Sequence, residues 1–166
     1  MPHEKLILTA ETAEKKMQRM AYEIVEHNIG ERQLILAGIK ENGLIIAYKI
    51  KAFLQKVYDG EIMVIEINLD KKDPKKIAIP GTINFDDKVI IMVDDVANTG
   101  KTLLYAVKPF LQFYPKKIQT LVLVERSHKE FPVSPDYVGL SVSTGLNEKI
   151  IVETEKGEVA GARLEG

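Results

Sequence analysis

The sequence predicts an α/β fold assembled from strand-to-helix units, and three observations carry that reading. Short apolar runs rich in β-branched residues recur at 34–39, 61–67, 89–93 and 118–124, each with the length of a buried strand. Segments with helical apolar spacing sit beside them, at 10–29, at 44–58 and after Gly100. Polar residues gather where strands pass into helices, and in an open parallel sheet that is where ligands bind.

In chain order, residues 10–29 place Ala13, Met17, Met20, Ala21, Ile24 and Val25 on one helical face, with Glu11 and Glu14 in the first turn and Gly30 as a stop. The two methionines read as core filler. The run LILAGI at 34–39 is a buried strand entering Lys40-Glu41-Asn42-Gly43 ahead of the second helix. EIMVIEI at 61–67 is a third strand. Residues 68–85 combine Lys71, Lys72, Lys75 and Lys76 with Pro74, Pro80 and Gly81, which argues against continuous regular structure. That stretch is either a solvated loop or a lid closing over an anionic leaving group.

The central stretch runs from Val89 to Tyr105. An apolar strand over 89–93 is expected to end at two carboxylates, Asp94 and Asp95, followed by the turn Ala97-Asn98-Thr99-Gly100-Lys101-Thr102 and an apolar segment of helical spacing. Backbone N–H groups, a permissive glycine and two hydroxyls make such a turn a cradle for phosphate. A Walker A loop is excluded, because it needs a glycine where this chain has Asp95. Two acids suit neutral hydroxyls and the turn suits a phosphate, so the ligand expected here is a sugar phosphate. Pro109 removes a backbone donor, and the helix is expected to kink or restart there. Later strands are expected at 118–124, 137–140 and 149–152, and the glycine-containing tail from Glu155 is assigned no structure.

With 166 residues, 45% hydrophobic and 28% charged, the chain is expected to be one domain, 1–166, with a real core. Zero cysteines exclude a disulfide framework and thiolate metal sites. No apolar run reaches the roughly 18 residues of a membrane span, and Glu4 and Lys5 stand where a secretory signal would be apolar. A cytoplasmic protein is expected, without a membrane partner. A net charge of -1 gives no global attraction to nucleic acid.

The run of hydrophobic residues, two acids and a T-G-[KR]-T turn resembles the phosphoribosyl pyrophosphate signature of the type I phosphoribosyltransferases. The wider likeness, over residues 6–154, is to the pyrimidine operon attenuator/uracil phosphoribosyltransferase (PyrR-like) family. GIKENG at 38–43 resembles that family's first loop, VDDVANTGKT at 93–102 its signature, and VERSHKEFP at 124–132, DYVGLSVST at 136–144 and EKIIVE at 148–153 its later motifs. The resemblance implies a central, mainly parallel sheet flanked by helices, with a small hood made from the terminal segments.

It also implies transfer of a phosphoribosyl group from phosphoribosyl pyrophosphate to a nucleobase, uracil first, with Mg²⁺ carried on the substrate. On that likeness Asp94 and Asp95 are the catalytic pair, with either able to touch the metal. Ala97, Asn98, Thr99, Gly100, Lys101 and Thr102 take the 5′ phosphate, and Ile39, Lys40 and Glu41 take pyrophosphate. Arg126 and Val138 are candidates on the base side. A homodimer or larger homo-oligomer is implied as well.

Departures from the pattern matter. Asn98 stands where purine-using relatives carry an aspartate, and an amide is no general acid or base at neutral pH. The uracil pattern has tyrosine there. Leu140 and Asn42 replace a lysine and an arginine, and Lys71 and Lys72 stand in for the lid's Tyr-Arg pair. His128 reads as a loop-ordering residue, and Glu153 as either a solvated carboxylate or a contact to the base edge. Two alternatives to catalysis stay open: an RNA-binding regulator of pyrimidine genes, which the near-neutral charge disfavours, and a non-catalytic sugar-phosphate sensor.

Overall fold

The structure is a computed structural model and describes residues 4–145 and 147–166. Its body is a six-stranded sheet. The strands are β2 (Gln33–Ile39), β3 (Glu61–Asp70), β4 (Asp73–Ala78), β5 (Val89–Ala97), β6 (Lys117–Arg126) and β7 (Tyr137–Val142), in the order β4-β3-β2-β5-β6-β7. All neighbours pair in parallel except β3 with β4. Helices α1 (Ala10–His27) and α2 (Asn42–Leu54) cover one face, while α3 (Lys101–Val107) and a 3-10 turn at Lys108–Gln112 lie on the other.

Strands covered on both faces read as continuous apolar runs, and β2 and β5 show why. Leu34, Leu36, Ile91 and Val93 join the core under α1 and α2, whereas Ile35, Ala37, Ile90 and Met92 join the core with Phe85, Leu103 and Phe110. Each fully buried aliphatic side chain of this kind stabilises the fold by about 1.5–3 kcal/mol. Thr9 caps α1 by accepting the Thr12 N–H at 3.1 Å, and the buried face is Ala13, Met17, Met20, Ala21 and Ile24, as the spacing requires.

A second sheet, antiparallel in the order β1-β9-β8, is built from β1 (Glu4–Thr9), β8 (Lys149–Glu155) and β9 (Glu158–Glu165). This is the hood. The tail, to which the sequence assigned no structure, supplies the middle strand β9, with Val159, Ala162 and Leu164 buried.

The loop expected at 68–85 is corrected in part. β3 continues to Asp70 and turns back through Lys71 and Lys72 into β4, with Asp70 Oδ1 accepting the Lys72 N–H at 2.9 Å. Pro74 is tolerated because β4 is an edge strand with one neighbour.

The strand of the central stretch does not stop at the acids either. β5 runs on to Ala97, with Asp94, Val96 and Ala97 still in register with β6. The second helix begins earlier than expected, at Asn42. At Pro109 the helical path restarts as the 3-10 turn, after α3 closes at Val107.

Candidate active site

Asp94 and Asp95 lie near the carboxyl end of β5, beside the start of α2. α2 itself starts almost against this strand: a Cβ on Gly43 would stand 2.4 Å from the Val93 carbonyl, so only glycine lets the helix approach so closely. Asp94 is 1% exposed and Asp95 half-buried. Asp94 Oδ1 accepts the Asp95 N–H and Asp95 Oδ1 accepts the Val96 N–H, both at 2.8 Å. Asp94 Oδ2 is buried with no hydrogen-bond partner.

Burial, reinforced by the neighbouring Asp95, pushes the Asp94 carboxyl well above the usual carboxylate range, and Lys71 offsets part of that shift. The Lys71 ammonium stands 3.5 Å from Asp94 Oδ1 and 3.7 Å from Asp95 Oδ1. Burial works against its charge, but the two acids outweigh it and raise the Lys71 pKa. The β3–β4 hairpin thus delivers a cation to the paired acids.

Asp95, Asn42 and Lys71 open onto a cavity of about 320 Å³ that is floored by the turn from Ala97 to Thr102 and roofed by Ile150, Ile151 and Val152 of the hood. Gly100 takes φ +87°, a conformation that favours glycine. The Thr99 carbonyl accepts the N–H groups of Glu130 and Phe131, both at 3.0 Å. Because a trans peptide points its C=O and N–H in opposite directions, the Gly100 N–H faces away from that supporting loop. Thr99 Oγ1 accepts the Lys101 N–H at 3.2 Å, which holds the bend.

The structure therefore brings together the two acids, all six turn residues and Lys71. Other sequence candidates lie apart. The Ile39 side chain is fully buried in the core, so only its main chain can meet a ligand. Lys40 and Glu41 are exposed beside the cavity and are not among its lining residues, and the Lys40 N–H donates to the Ile67 carbonyl at 3.1 Å.

Arg126 donates from Nη2 to the Glu148 carbonyl at 2.7 Å, which holds the approach to the hood rather than the cavity. Val138 packs in the body core, and its carbonyl accepts from Arg19 at 3.0 Å. His128 is exposed, and Glu153 pairs with Arg163 within the hood. Sequence reasoning missed the roof of Ile150–Val152 and the part played by Asn42. It saw Asn42 only as a missing arginine.

The phosphoribosyl transferase domain family matches residues 4–156 of the chain. The chain belongs to this family. Among curated relatives, the bifunctional protein PyrR of Enterococcus faecalis is 33% identical over 165 residues, covering 94% of this chain and 93% of that protein. The Streptococcus pneumoniae protein of the same name is 35% identical over 147 residues, with 86% and 85% covered. Solved structures show the same fold at low identity. The hypoxanthine phosphoribosyltransferase of Trypanosoma cruzi superposes with a TM-score of 0.78 at 16% identity, with 95% of each chain covered. The Staphylococcus aureus hypoxanthine phosphoribosyltransferase gives 0.72 at 13%, covering 89% of this chain and 80% of its own.

The protein is thus a PyrR-like phosphoribosyltransferase with the type I fold, and phosphoribosyl transfer is its chemistry. No helix among the described residues is long and apolar enough to cross a membrane.

Proposed function

We propose that the chain transfers the 5-phosphoribosyl group from phosphoribosyl pyrophosphate to uracil and releases pyrophosphate. The observation that carries this reading is the acid pair at a roofed cavity whose floor is the phosphate turn: Asp95 lines the cavity with Lys71, and Asp94 lies buried next to it, 3.5 Å from the Lys71 ammonium. The carboxylates accept the 2′ and 3′ hydroxyls of the ribose and stabilise the positive charge that grows on it as the bond from carbon 1 to pyrophosphate breaks. The turn from Ala97 to Thr102 holds the 5′ phosphate, which aligns carbon 1 with the attacking nitrogen of the base. Ile39 and Glu41 through their backbone, and Lys40 through its ammonium, receive the pyrophosphate. Lys71 leaves the acids as the hydroxyls arrive and joins that side.

Magnesium is commonly held by one or two carboxylates together with substrate phosphates rather than by an all-protein cage. Among the described residues no group of three or more His, Cys, Asp and Glu side chains gathers, while Asp94 keeps an unpartnered oxygen beside Asp95. These residues fit a Mg²⁺ carried in on pyrophosphate, with Asp94 or Asp95 as its protein contact. The ion would neutralise the leaving group.

Asn98, which lines the cavity, counts against a purine, since its amide is no general acid or base toward a purine ring nitrogen at neutral pH. Incubation with phosphoribosyl pyrophosphate, Mg²⁺ and a panel of bases should convert uracil to its nucleotide. Turnover of hypoxanthine or guanine in its place would refute the choice of base, and no turnover with any base would refute the reaction.

The relatives' name, bifunctional protein, favours a second role, and the family likeness points to RNA binding regulated by uridine nucleotides. Binding should weaken steeply with salt, and its absence at low salt would end that reading. A homodimer is proposed too. Tyr22 and Tyr48, 50% and 55% exposed on α1 and α2, supply apolar area for one, and light scattering would reveal a monomer if that is wrong.

A further inference from the structure

Asn42 opens α2 and bonds to two other parts of the molecule. Its Nδ2 donates to Asp95 Oδ2 at 3.0 Å and to the Val152 carbonyl at 3.1 Å, while its Oδ1 accepts the Thr154 hydroxyl at 3.0 Å. Both groups facing Nδ2 can only accept, and the hydroxyl facing Oδ1 can donate, so the partners themselves fix which way the amide points. No other common side chain satisfies all three at that position. An aspartate would set its oxygens against Asp95 and the Val152 carbonyl, and a lysine or arginine could not accept from Thr154.

We propose that Asn42 is a positioning residue that locks Asp95 for the ribose and couples its orientation to hood strand β8, the roof of the cavity; this rests on the reading of Asp95 given above. Asp95 Oδ1 is already held by the Val96 N–H at 2.8 Å. Once Asn42 takes Oδ2, the carboxylate plane can no longer rotate, and its remaining lone pairs are aimed for the substrate. Val152 through its main-chain carbonyl and Thr154 through its hydroxyl, on either side of the irregularity between Glu153 and Thr154, both bring β8 onto the one amide. A shift of β8 as a base enters beneath Ile150–Val152 therefore acts on Asn42 and through it on Asp95. Such coupling is reciprocal: phosphoribosyl pyrophosphate on the acids must also steady β8.

The test uses the full chain and the variants Asn42→Ala, Asn42→Asp, Thr154→Val and the double variant Asn42→Ala with Thr154→Val. Loss of a hydrogen bond to a charged group should lower kcat/KM for phosphoribosyl pyrophosphate about tenfold or more in Asn42→Ala, and further in Asn42→Asp. Thr154→Val should lower it less, and the double variant should be no worse than Asn42→Ala, because Thr154 acts through the amide.

Hydrogen exchange gives a readout that a merely structural role would not move. In the wild type, phosphoribosyl pyrophosphate with Mg²⁺ should slow exchange along Lys149–Glu155. In Asn42→Ala at saturating ligand that protection should vanish while the turn at 97–102 stays protected.

Multiplicative losses in the double variant, or protection of β8 that survives in Asn42→Ala, would overturn the proposal. If Asn42→Ala does not fold, Thr154→Val decides alone: unchanged kcat/KM and unchanged β8 protection would refute the coupling. A wild type that binds no phosphoribosyl pyrophosphate would refute the ribose reading itself, and this inference with it.

Discussion

Asp94 combines three properties that are costly for stability: it is 1% exposed, it neighbours a second acid, and one of its oxygens has no partner. A buried acceptor left unpaired costs about 1–3 kcal/mol, and functional sites are where such costs persist. Because burial raises its pKa in the folded state, Asp94 adds stability when protonated and loses that contribution as pH rises through the raised value. Asp94→Asn, which carries no charge, should therefore melt above the wild type at pH 7 in thermal unfolding, with activity down by about 10²-fold or more. The gap in melting temperature should close as pH falls through and below the ordinary value of 3.8, since only there is Asp94 protonated in both the folded and the unfolded state. A variant that melts lower at pH 7 would contradict this account of Asp94. The acid pair itself was legible in the sequence because it abuts an apolar strand and a glycine turn. The role of Asn42 was not, since its partners lie 53, 110 and 112 residues away and no local pattern encodes them.

The β3–β4 hairpin places Lys71 on the acids although its side chain remains 49% exposed, a geometry in which the ammonium competes with an incoming ribose. Lys71→Met should bind ribose 5-phosphate at least as tightly as the wild type, because that competitor is gone, yet turn over phosphoribosyl pyrophosphate about tenfold more slowly for want of a cation on the leaving group. Calorimetry showing weaker ribose 5-phosphate binding would contradict the placement.

The phosphate turn depends on one backbone conformation. Gly100→Ala would hold an alanine at φ +87° with its Cβ 3.4 Å from the Phe131 carbonyl oxygen, so a loss of about 1 kcal/mol and a raised KM for phosphoribosyl pyrophosphate are expected. Normal values for both would mean that the bend is not needed.

At this scale, strands buried on both faces were readable as continuous apolar runs. β4 was not, because an edge strand that faces solvent keeps its lysines and Pro74. β9 was hidden because its apolar residues are few and small and their alternation breaks where Gly161 and Ala162 are buried in succession between Val159 and Leu164.

Across the whole molecule, body and hood are tied by Lys49, which pairs with Glu14 of α1 at 3.1 Å and Glu158 of β9 at 2.6 Å. Asn42 and the bond from Arg126 to the Glu148 carbonyl add two further links. We propose that residues 1–166 form one cooperative domain on this basis, with the hairpin of Lys71 as its moving lid. Calorimetric unfolding should show one transition, and two separated transitions would contradict it.

The family likeness foresaw the hood from the terminal segments, but its strand order depended on pairings between residues at opposite ends of the chain. The central claim joins the scales: paired acids grip a ribose whose phosphate rests on the adjoining turn. A crystal structure with ribose 5-phosphate tests it most directly. The sugar hydroxyls should lie within hydrogen-bond distance of Asp94 and Asp95, the phosphate against the backbone of 97–102, and Lys71 should be displaced from the acids. A phosphate bound elsewhere, or acids still paired with Lys71 beneath a bound sugar, would contradict the account.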